Sequence, residues 1–218
     1  MRVRVKICCI QDEAELDAAI AAGADCVGFV GRGLSGPEVI DDDDRIGQLA
    51  SRCPPGVDPW LLTREADPEA LVAQVRRARV ATVQLCDRVP PAAWAALRQH
   101  HPAVRIVQVV HVGGPEAEAE ARAVAPHVDA VLLDSGAPAG DAPVYGGTGR
   151  THDWAVSARV VRAVPCPVWL AGGLRASNVA DAIAAVGPFG VDLCSGVRSG
   201  GRLDPEAALA FVRATGAG

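Results

Sequence analysis

The chain has 218 residues, half of them apolar and few of them aromatic, with a formal net charge of −5 at pH 7. This mildly acidic balance, without a stripe of Lys and Arg, argues against a nucleic-acid-binding protein. No apolar run reaches the roughly 18 residues of a membrane span, and MRVRVKICCI lacks the apolar segment of a signal peptide, so we expect a cytoplasmic protein with neither a membrane nor a nucleic-acid partner.

Short β-rich runs alternate with Ala-rich helical stretches along the whole chain. The predicted strands are rich in Val, Ile and Leu, as expected for strands covered on both faces: Val3–Cys8, Cys26–Val30, Trp60–Thr63, Thr82–Leu85, Val104–Val110, Ala130–Asp134, Val168–Ala171 and Val191–Cys194. The predicted helices are Asp12–Ala22, Asp41–Ser51, Pro68–Ala78, Pro90–Gln99, Pro115–Val124, His152–Ala163, Ala176–Val186 and Asp204–Ala214.

Eight such units in unbroken alternation predict an α/β fold, a single-domain (βα)8 TIM barrel over residues 1–218, because eight parallel strands close a barrel. The alternative is an open doubly wound sheet. That fold requires a Gly-rich turn after the first strand, and KICCIQDEAE contains no glycine. We therefore favour the barrel.

The seven cysteines are odd in number and include no CxxC pair. They predict neither a disulfide framework nor a zinc site. Three of them, Cys8, Cys26 and Cys194, fall inside predicted strands and others lie beside them, where a free cysteine usually behaves as a small buried hydrophobe. No metal is expected.

The glycine-rich loops predict a phosphate-binding site. In TIM barrels the active site lies at the C-terminal ends of the strands, and the loops after strands seven and eight often hold a phosphate. Here these loops begin with Gly172 and Gly173, and with Ser195 and Gly196. Small residues allow backbone N–H groups to approach an anion closely. A third glycine-rich loop, VYGGTGRTHDW, follows strand six and adds the candidates Gly147, Gly149 and Arg150.

Two ionisable residues stand at strand ends: Cys8 at the end of strand one and Asp134 at the end of strand six. Inward side chains of odd and even strands interleave, so these two ends can face each other across the barrel mouth. A thiolate base and a carboxylic acid in this arrangement can move a proton from carbon while protonating an oxygen.

Several segments together resemble the phosphoribosylanthranilate isomerase family of tryptophan biosynthesis. They are VKIC, AGADCVGFV, TVQL, LLDS, GGTGRTHDW, LAGGL, the segment Asn178–Ala180 and GVDLCSGV, in this order along nearly the whole chain. The resemblance implies an Amadori rearrangement of an aminoaldose phosphate without any cofactor, by a monomer or homodimer. It implies that Asp134 is the general acid, that Cys8 is the general base, and that Asp192 in strand eight is a possible substrate contact.

The chain also departs from the family pattern, mostly near the aromatic-acid end of the substrate. Cys9 replaces the glycine that follows the catalytic cysteine. In the strand-two loop Ser35 is kept, but Pro37 occupies the position of the arginine that holds the anthranilate carboxylate, and acidic Glu38 follows. Either another cation, such as Arg32, replaces that arginine, or the substrate lacks the carboxylate.

Further possible substrate contacts belong to strands one, four and five: Lys6, Cys86 and Gln108. Cys86 and Asp87 stand where the family has His and Gly, and Gln108 stands where a Lys is common. Three hypotheses remain open: the tryptophan-pathway isomerase itself, a diverged paralogue acting on another phosphorylated sugar adduct, and a non-catalytic binding barrel. Turnover of phosphoribosylanthranilate separates the first two, and the presence of both Cys8 and Asp134 counts against the third.

Overall fold

The computed structural model describes residues 2–34, 36–135 and 153–216. Within them, eight parallel strands form one sheet: β1 (Arg4–Ile7), β2 (Cys26–Gly31), β3 (Asp58–Thr63), β4 (Thr82–Leu85), β5 (Arg105–His111), β6 (Ala130–Asp134), β7 (Val168–Leu170) and β8 (Gly190–Leu193). Because β1 pairs with both β2 and β8, the sheet closes on itself. The predicted (βα)8 barrel is confirmed.

Eight helices in the described residues cover the outside of the sheet: α1 (Glu13–Ala22), α2 (Asp43–Ala50), α3 (Pro68–Ala78), α4 (Pro91–His100), α5 (Glu116–Val124), α6 (Trp154–Ala163), α7 (Val179–Val186) and α8 (Pro205–Ala214). Most begin one or two residues after the predicted start, because the capping residue stands outside the helix. Asp42 and Asp204, for example, accept hydrogen bonds from backbone N–H groups of the first turn. None of these helices has the length and apolar character that crossing a membrane requires.

The largest disagreement in helix bounds is at α7, which begins at Val179 rather than at Ala176. The side chain of Asn178 accepts a hydrogen bond from the N–H of Arg175 at 2.9 Å, and its amide donates to the carbonyl of Gly173 at 3.1 Å. Asn178 thus folds the residues before it into a turn. The structure also contains short elements that were not predicted: a strand at Val39–Ile40, a hairpin of Arg198–Ser199 with Arg202–Leu203, and 3-10 helices at Ala125–His127 and Ser195–Val197.

The apolar core has two parts. The larger part lies between the strands and the helices, and the smaller fills the barrel interior. In the interior, the rings of Trp60 and Trp169 meet edge to face with centroids 5.0 Å apart. Gly190 lies against Trp169, because a Cβ at this position would come within 2.5 Å of the indole ring. These indoles fill the interior below the strand ends that carry the polar residues.

Candidate active site

A cavity of about 550 Å³ opens at the C-terminal ends of the strands, where barrel active sites lie. Cys8 from the end of β1 and Asp134 from the end of β6 both line it. The structure therefore brings together the two residues expected to act as base and acid. The other predicted site residues that line the same cavity are Cys86, Gly172, Gly173, Asp192 and Ser195.

Three other predicted site residues, Lys6, Arg32 and Gly196, do not line the cavity. The Lys6 side chain is fully buried below it and pairs with Asp192. Arg32 lies 3.5 Å from the carboxylate of Asp43, outside the barrel mouth. Gly196 packs against the neighbouring loop. Gly147, Gly149 and Arg150 lie outside the described residues, as does Ser35.

Gln108 also lies away from the cavity, because its side chain points outward from the barrel. Its amide donates to the carbonyls of Leu85 and Asp87 at 3.1 and 2.8 Å, and its oxygen lies 3.3 Å from the indole nitrogen of Trp94 in α4. These contacts place the side chain between the sheet and a helix. Gln108 thus holds strand ends and a helix together and is not part of the cavity lining.

The loops after β7 and β8 pack against each other on one side of the cavity. Gly172 and Gly173 have φ angles of 85° and 65°, which glycine adopts without strain. A Cβ on Gly196 would lie only 2.2 Å from the carbonyl oxygen of Leu174, so only glycine allows the two loops to approach this closely. The predicted phosphate-binding residues of both loops are therefore neighbours in space.

Asp134 ends β6 beside His111, which occupies the matching position in β5. The backbone N–H of Ser135 donates to the Asp134 carboxylate at 2.7 Å. His111, which the sequence analysis did not single out, also lines the cavity. Its Nε2 lies 3.1 Å from the carbonyl oxygen of Cys86, and because a carbonyl can only accept, this nitrogen carries the proton.

Cys8 occupies a tight position at the end of β1. A Cβ on Gly28 would come within 2.9 Å of the Cys8 Cβ, so the glycine in β2 leaves space for the thiol. The hydrogen bond between the Cys8 thiol and Cys194, together with burial, raises the pKa of Cys8 to about 12, while the nearby ammonium of Lys6 acts in the opposite direction.

Cys8 belongs to a group of three cysteines, Cys8, Cys9 and Cys194, which we call the thiol cluster. Their sulfur atoms all lie within 4.8 Å of one another. Hydrogen bonds from Cys8 and Cys9 to the Cys194 sulfur, assisted by the charge of Arg198, lower the pKa of Cys194 to about 5. Sulfurs this close titrate as a group, so the lowered pKa belongs to the cluster and not to Cys194 alone.

The lowered pKa of Cys194 gives a prediction about thiol reactivity. Because the pKa of Cys194 lies below neutrality, we expect iodoacetamide to alkylate the thiol cluster at pH 6 far faster than Cys53 or Cys166, two half-buried cysteines whose pKa values burial raises. Peptide mass spectrometry after short exposures measures the rates. Equal labelling rates at pH 6 for the thiol cluster, Cys53 and Cys166 would contradict the lowered pKa of Cys194.

A buried ion pair supports the cavity from below. The Lys6 Nζ donates to the Asp192 carboxylate at 2.9 Å, and neither side chain is more than 7% exposed. Burial, followed by the charge of Cys8, raises the pKa of Asp192 to about 7, against the opposing effect of Lys6. The Lys6 ammonium also lies 5.1 Å from the ring centroid of Trp60.

We expect Lys6→Met to lower the free energy of unfolding by about 3–5 kcal/mol at pH 8, because it leaves a buried carboxylate without its partner. Because folding raises the pKa of Asp192, folding becomes less favourable as this carboxyl ionises with rising pH. The loss of stability caused by Lys6→Met should therefore be smaller at pH 5, where the carboxyl is protonated in the folded protein. Urea denaturation at both pH values measures the loss. As a matched control, Lys6→Met combined with Asp192→Leu should recover most of the stability. A loss independent of pH would contradict this account.

Arg198 is a functional candidate that the sequence analysis missed. Among the described residues that line the cavity, it is the only Lys or Arg. Its Nη1 donates to the carbonyl of Cys9 at 2.9 Å and its Nη2 contacts the carboxylate of Glu15 at 3.1 Å. The buried Nε has no hydrogen-bond partner within the described residues, and the Glu38 carboxylate lies 3.9 Å away. Its position in the loop after strand eight could have identified it from the sequence, because this loop belongs to the active-site face of a barrel.

Comparisons with known proteins agree with this geometry. Residues 5–214 match the family model described as N-(5'phosphoribosyl)anthranilate (PRA) isomerase. The N-(5'-phosphoribosyl)anthranilate isomerase of Halobacterium salinarum is 41% identical over 217 residues, which cover 97% of this chain and 95% of that protein. The crystal structure of phosphoribosyl anthranilate isomerase from Thermotoga maritima is 27% identical, with a TM-score of 0.83 over 98% of both chains.

A further similar structure is a phosphoribosyl anthranilate isomerase in complex with reduced 1-(o-carboxyphenylamino)-1-deoxyribulose 5-phosphate. It is 25% identical to this chain, with a TM-score of 0.79 over 98% of both chains. The similarity therefore extends over the whole barrel, including the strand ends that line the cavity.

Proposed function

The chain belongs to the N-(5'-phosphoribosyl)anthranilate isomerase family, and from this premise we propose that it converts phosphoribosylanthranilate, an aminoaldose phosphate, into the corresponding aminoketose phosphate without a cofactor. One observation carries the assignment of the catalytic residues. Cys8, Asp134 and the small residues of the loops after β7 and β8 all line the same cavity. A base, an acid and an anion site are the groups that this reaction requires.

In this proposal Asp134 is the general acid and Cys8 is the general base. Asp134 gives a proton to the furanose ring oxygen, and the ring opens to an iminium ion. The Cys8 thiolate then takes the proton from C2, and the electron pair of that C–H bond forms an enol. Tautomerisation of the enol gives the ketose, so the substrate and the product have the same atoms.

The thiol cluster places Cys8 next to a second sulfur that can take its proton, because the Cys194 sulfur lies within 4.8 Å. The burial and the hydrogen bond that raise the pKa of Cys8 also make its thiolate strongly basic once it forms. Transfer of the Cys8 proton to Cys194 places the thiolate on Cys8 without changing the net charge of the site. The ammonium of Lys6 favours this arrangement, because it lowers the pKa of Cys8.

We assign the substrate phosphate to the loops that contain Gly172, Gly173 and Ser195. These residues line the cavity on the side where the β7 and β8 loops pack together. Without large side chains, their backbone N–H groups can approach an anion closely. Asn178 is a positioning residue in this proposal, because its hydrogen bonds to Gly173 and Arg175 shape the first loop.

We assign the anthranilate carboxylate to Arg198. Among the described residues that line the cavity this is the only Lys or Arg, and in this proposal it takes over the role of the arginine that Pro37 replaces. We expect Arg198→Met to raise KM about 10- to 150-fold, with a smaller change in kcat, because a hydrogen bond to a charged group contributes about 1.5–3 kcal/mol.

Steady-state kinetics of the purified variant measure this effect. Arg202→Met is the matched control, since Arg202 lies in the same hairpin and contacts Asp12 and Glu15 but does not line the cavity. An Arg198→Met enzyme with the KM of the wild type would remove Arg198 from carboxylate binding. Thermal unfolding of both variants separates loss of binding from loss of folding.

One observation favours a second substrate. The carboxylate of Glu38 lines the cavity near Arg198, where a substrate carboxylate would have to displace or tolerate it. This arrangement suits a diverged paralogue that acts on a phosphorylated sugar adduct without the aromatic acid group. The reaction, acid and base would be the same.

Turnover of phosphoribosylanthranilate, followed by loss of anthranilate fluorescence, tests the proposal. We expect saturable turnover, with inorganic phosphate as a competitive inhibitor. A folded protein that shows no turnover of this compound would exclude the first function and leave the paralogue. We also propose that the enzyme acts in the cytoplasm as a monomer or homodimer.

A further inference from the structure

The thiol cluster has a geometry that the isomerase reaction does not require. The reaction needs one base, but three sulfurs meet at the cavity wall. Cys8 and Cys9 follow β1, Cys194 follows β8, and these strands pair with Ile7 opposite Leu193. The sulfurs of Cys8 and Cys9 are 3.4 Å apart, and all three lie within 4.8 Å of one another.

We propose that Cys8, Cys9 and Cys194 form a binding site for a soft divalent cation of the Zn²⁺ and Cd²⁺ class. Soft cations prefer thiolate ligands. Zinc binds sulfur at about 2.3 Å, so three sulfurs on one ion stand roughly 3.8–4.0 Å apart. The Cys8–Cys9 separation of 3.4 Å lies just below this value and no pair of sulfurs is more than 4.8 Å apart, so small side-chain rotations are sufficient to form the site. The open cavity leaves a fourth position for water or for a substrate oxygen.

The surroundings of the cluster offset the charge of the thiolates. The Arg198 guanidinium donates to the Cys9 carbonyl at 2.9 Å and acts on Cys194 as a nearby positive charge. The ammonium of Lys6 acts on both Cys8 and Cys9 as a second nearby positive charge. Two fixed cations therefore stand near the three sulfurs and offset part of the charge that thiolate ligands carry.

The backbone at Cys9 supports the same conclusion. Its φ angle is 67°, in the left-handed region where a residue with a Cβ costs roughly 1–2 kcal/mol. Glycine would avoid this cost. A strained residue at the wall of a candidate active site indicates a function for its side chain. For Cys9, that side chain is a thiol directed at two others.

A bound cation would block the isomerase, because it occupies the sulfur that acts as base. This consequence depends on the proposed function, whereas cation binding itself does not. Binding is therefore measured by spectroscopy, separately from turnover, so that failure of one proposal can be distinguished from failure of the other. The site would make the enzyme sensitive to free zinc and cadmium, with inhibition reversed by a chelator.

The test uses the full chain, reduced and freed of metal, titrated with Cd²⁺ while the ultraviolet thiolate-to-cadmium charge-transfer absorbance is recorded. We expect saturation at one ion per chain, and competition by Zn²⁺. Cys9→Gly and Cys194→Ser should each weaken binding about 100-fold or more, because even changes outside the ligands cost 10- to 100-fold. Cys9→Gly suits the left-handed backbone and should fold.

Cys53→Ser and Cys166→Ser are the matched controls, since each removes a half-buried thiol outside the thiol cluster. Both should bind Cd²⁺ as the wild type does. The proposal is overturned if no saturable absorbance develops, if Cys9→Gly binds like the wild type, or if the controls lose binding equally. Circular dichroism establishes that each variant is folded, so an unchanged spectrum with lost absorbance supports the site.

Discussion

Cys8→Ser is expected to lower kcat about 10²- to 10⁴-fold while KM changes little. Positioned proton transfer contributes about this much to enzyme rates, and a serine hydroxyl is a far weaker base than a thiolate. Serine is close to cysteine in size, so the tight contact with Gly28 is preserved. Steady-state kinetics with phosphoribosylanthranilate measure the effect.

The control for this variant is Cys166→Ser, which removes a thiol outside the thiol cluster and should retain the wild-type rate. The pH dependence of kcat provides a second readout. Residual turnover of Cys8→Ser should no longer follow the titration of the thiol cluster. If Cys8→Ser turned over at the wild-type rate, Cys8 would not be the base.

Asp134→Asn should reduce kcat by a similar factor of about 10²–10⁴, because an amide cannot donate the proton that opens the furanose ring. The amide oxygen can still accept the hydrogen bond from Ser135, so the end of β6 should remain in place. Stopped-flow measurement of ring opening and steady-state turnover should slow together.

Asp87→Asn is a suitable comparison, since Asp87 also follows a strand end but pairs with Arg64 and does not line the cavity. That variant should keep a rate near that of the wild type. An Asp134→Asn enzyme whose rate is unchanged, in a protein of unchanged thermal stability, would exclude Asp134 as the acid.

The barrel could be predicted from sequence because each strand is a short aliphatic run followed by a helical stretch with a clear start. Asp67 before Pro68 and Asp204 before Pro205 are such starts, and both cap their helices. The bounds shifted where a side chain reorganised the local backbone, as Asn178 does before α7. Composition and periodicity carry no information about such single hydrogen bonds.

The outward position of Gln108 could have been predicted from the sequence. Alternation along β5 puts Val107, Val109 and His111 on the inner side of the barrel, which leaves Gln108 outside. The expectation for Gln108 followed the strand-five position where the family commonly has Lys. It did not consider that successive side chains of a strand point to opposite faces of the sheet. The same alternation would have identified His111 as a residue of the cavity.

The thiol cluster was not foreseen, for a different reason. Its members stand 185 residues apart along the chain, from Cys9 to Cys194, so no local spacing resembles a metal site. Only closure of the barrel, which pairs β8 with β1, brings them together. Arg198 reaches the cavity through the same closure, because its partners Cys9 and Glu15 belong to the first βα unit.

The crossed indoles of Trp60 and Trp169 also affect how molecules pass through the enzyme. In the described part of the chain both rings belong to the buried cluster that fills the barrel interior, so we expect substrate and product to pass through the cavity mouth at the C-terminal ends of the strands. The ketose must depart by the route along which the next aldose arrives. Occupancy by either compound thus excludes the other, and accumulated product slows its own formation.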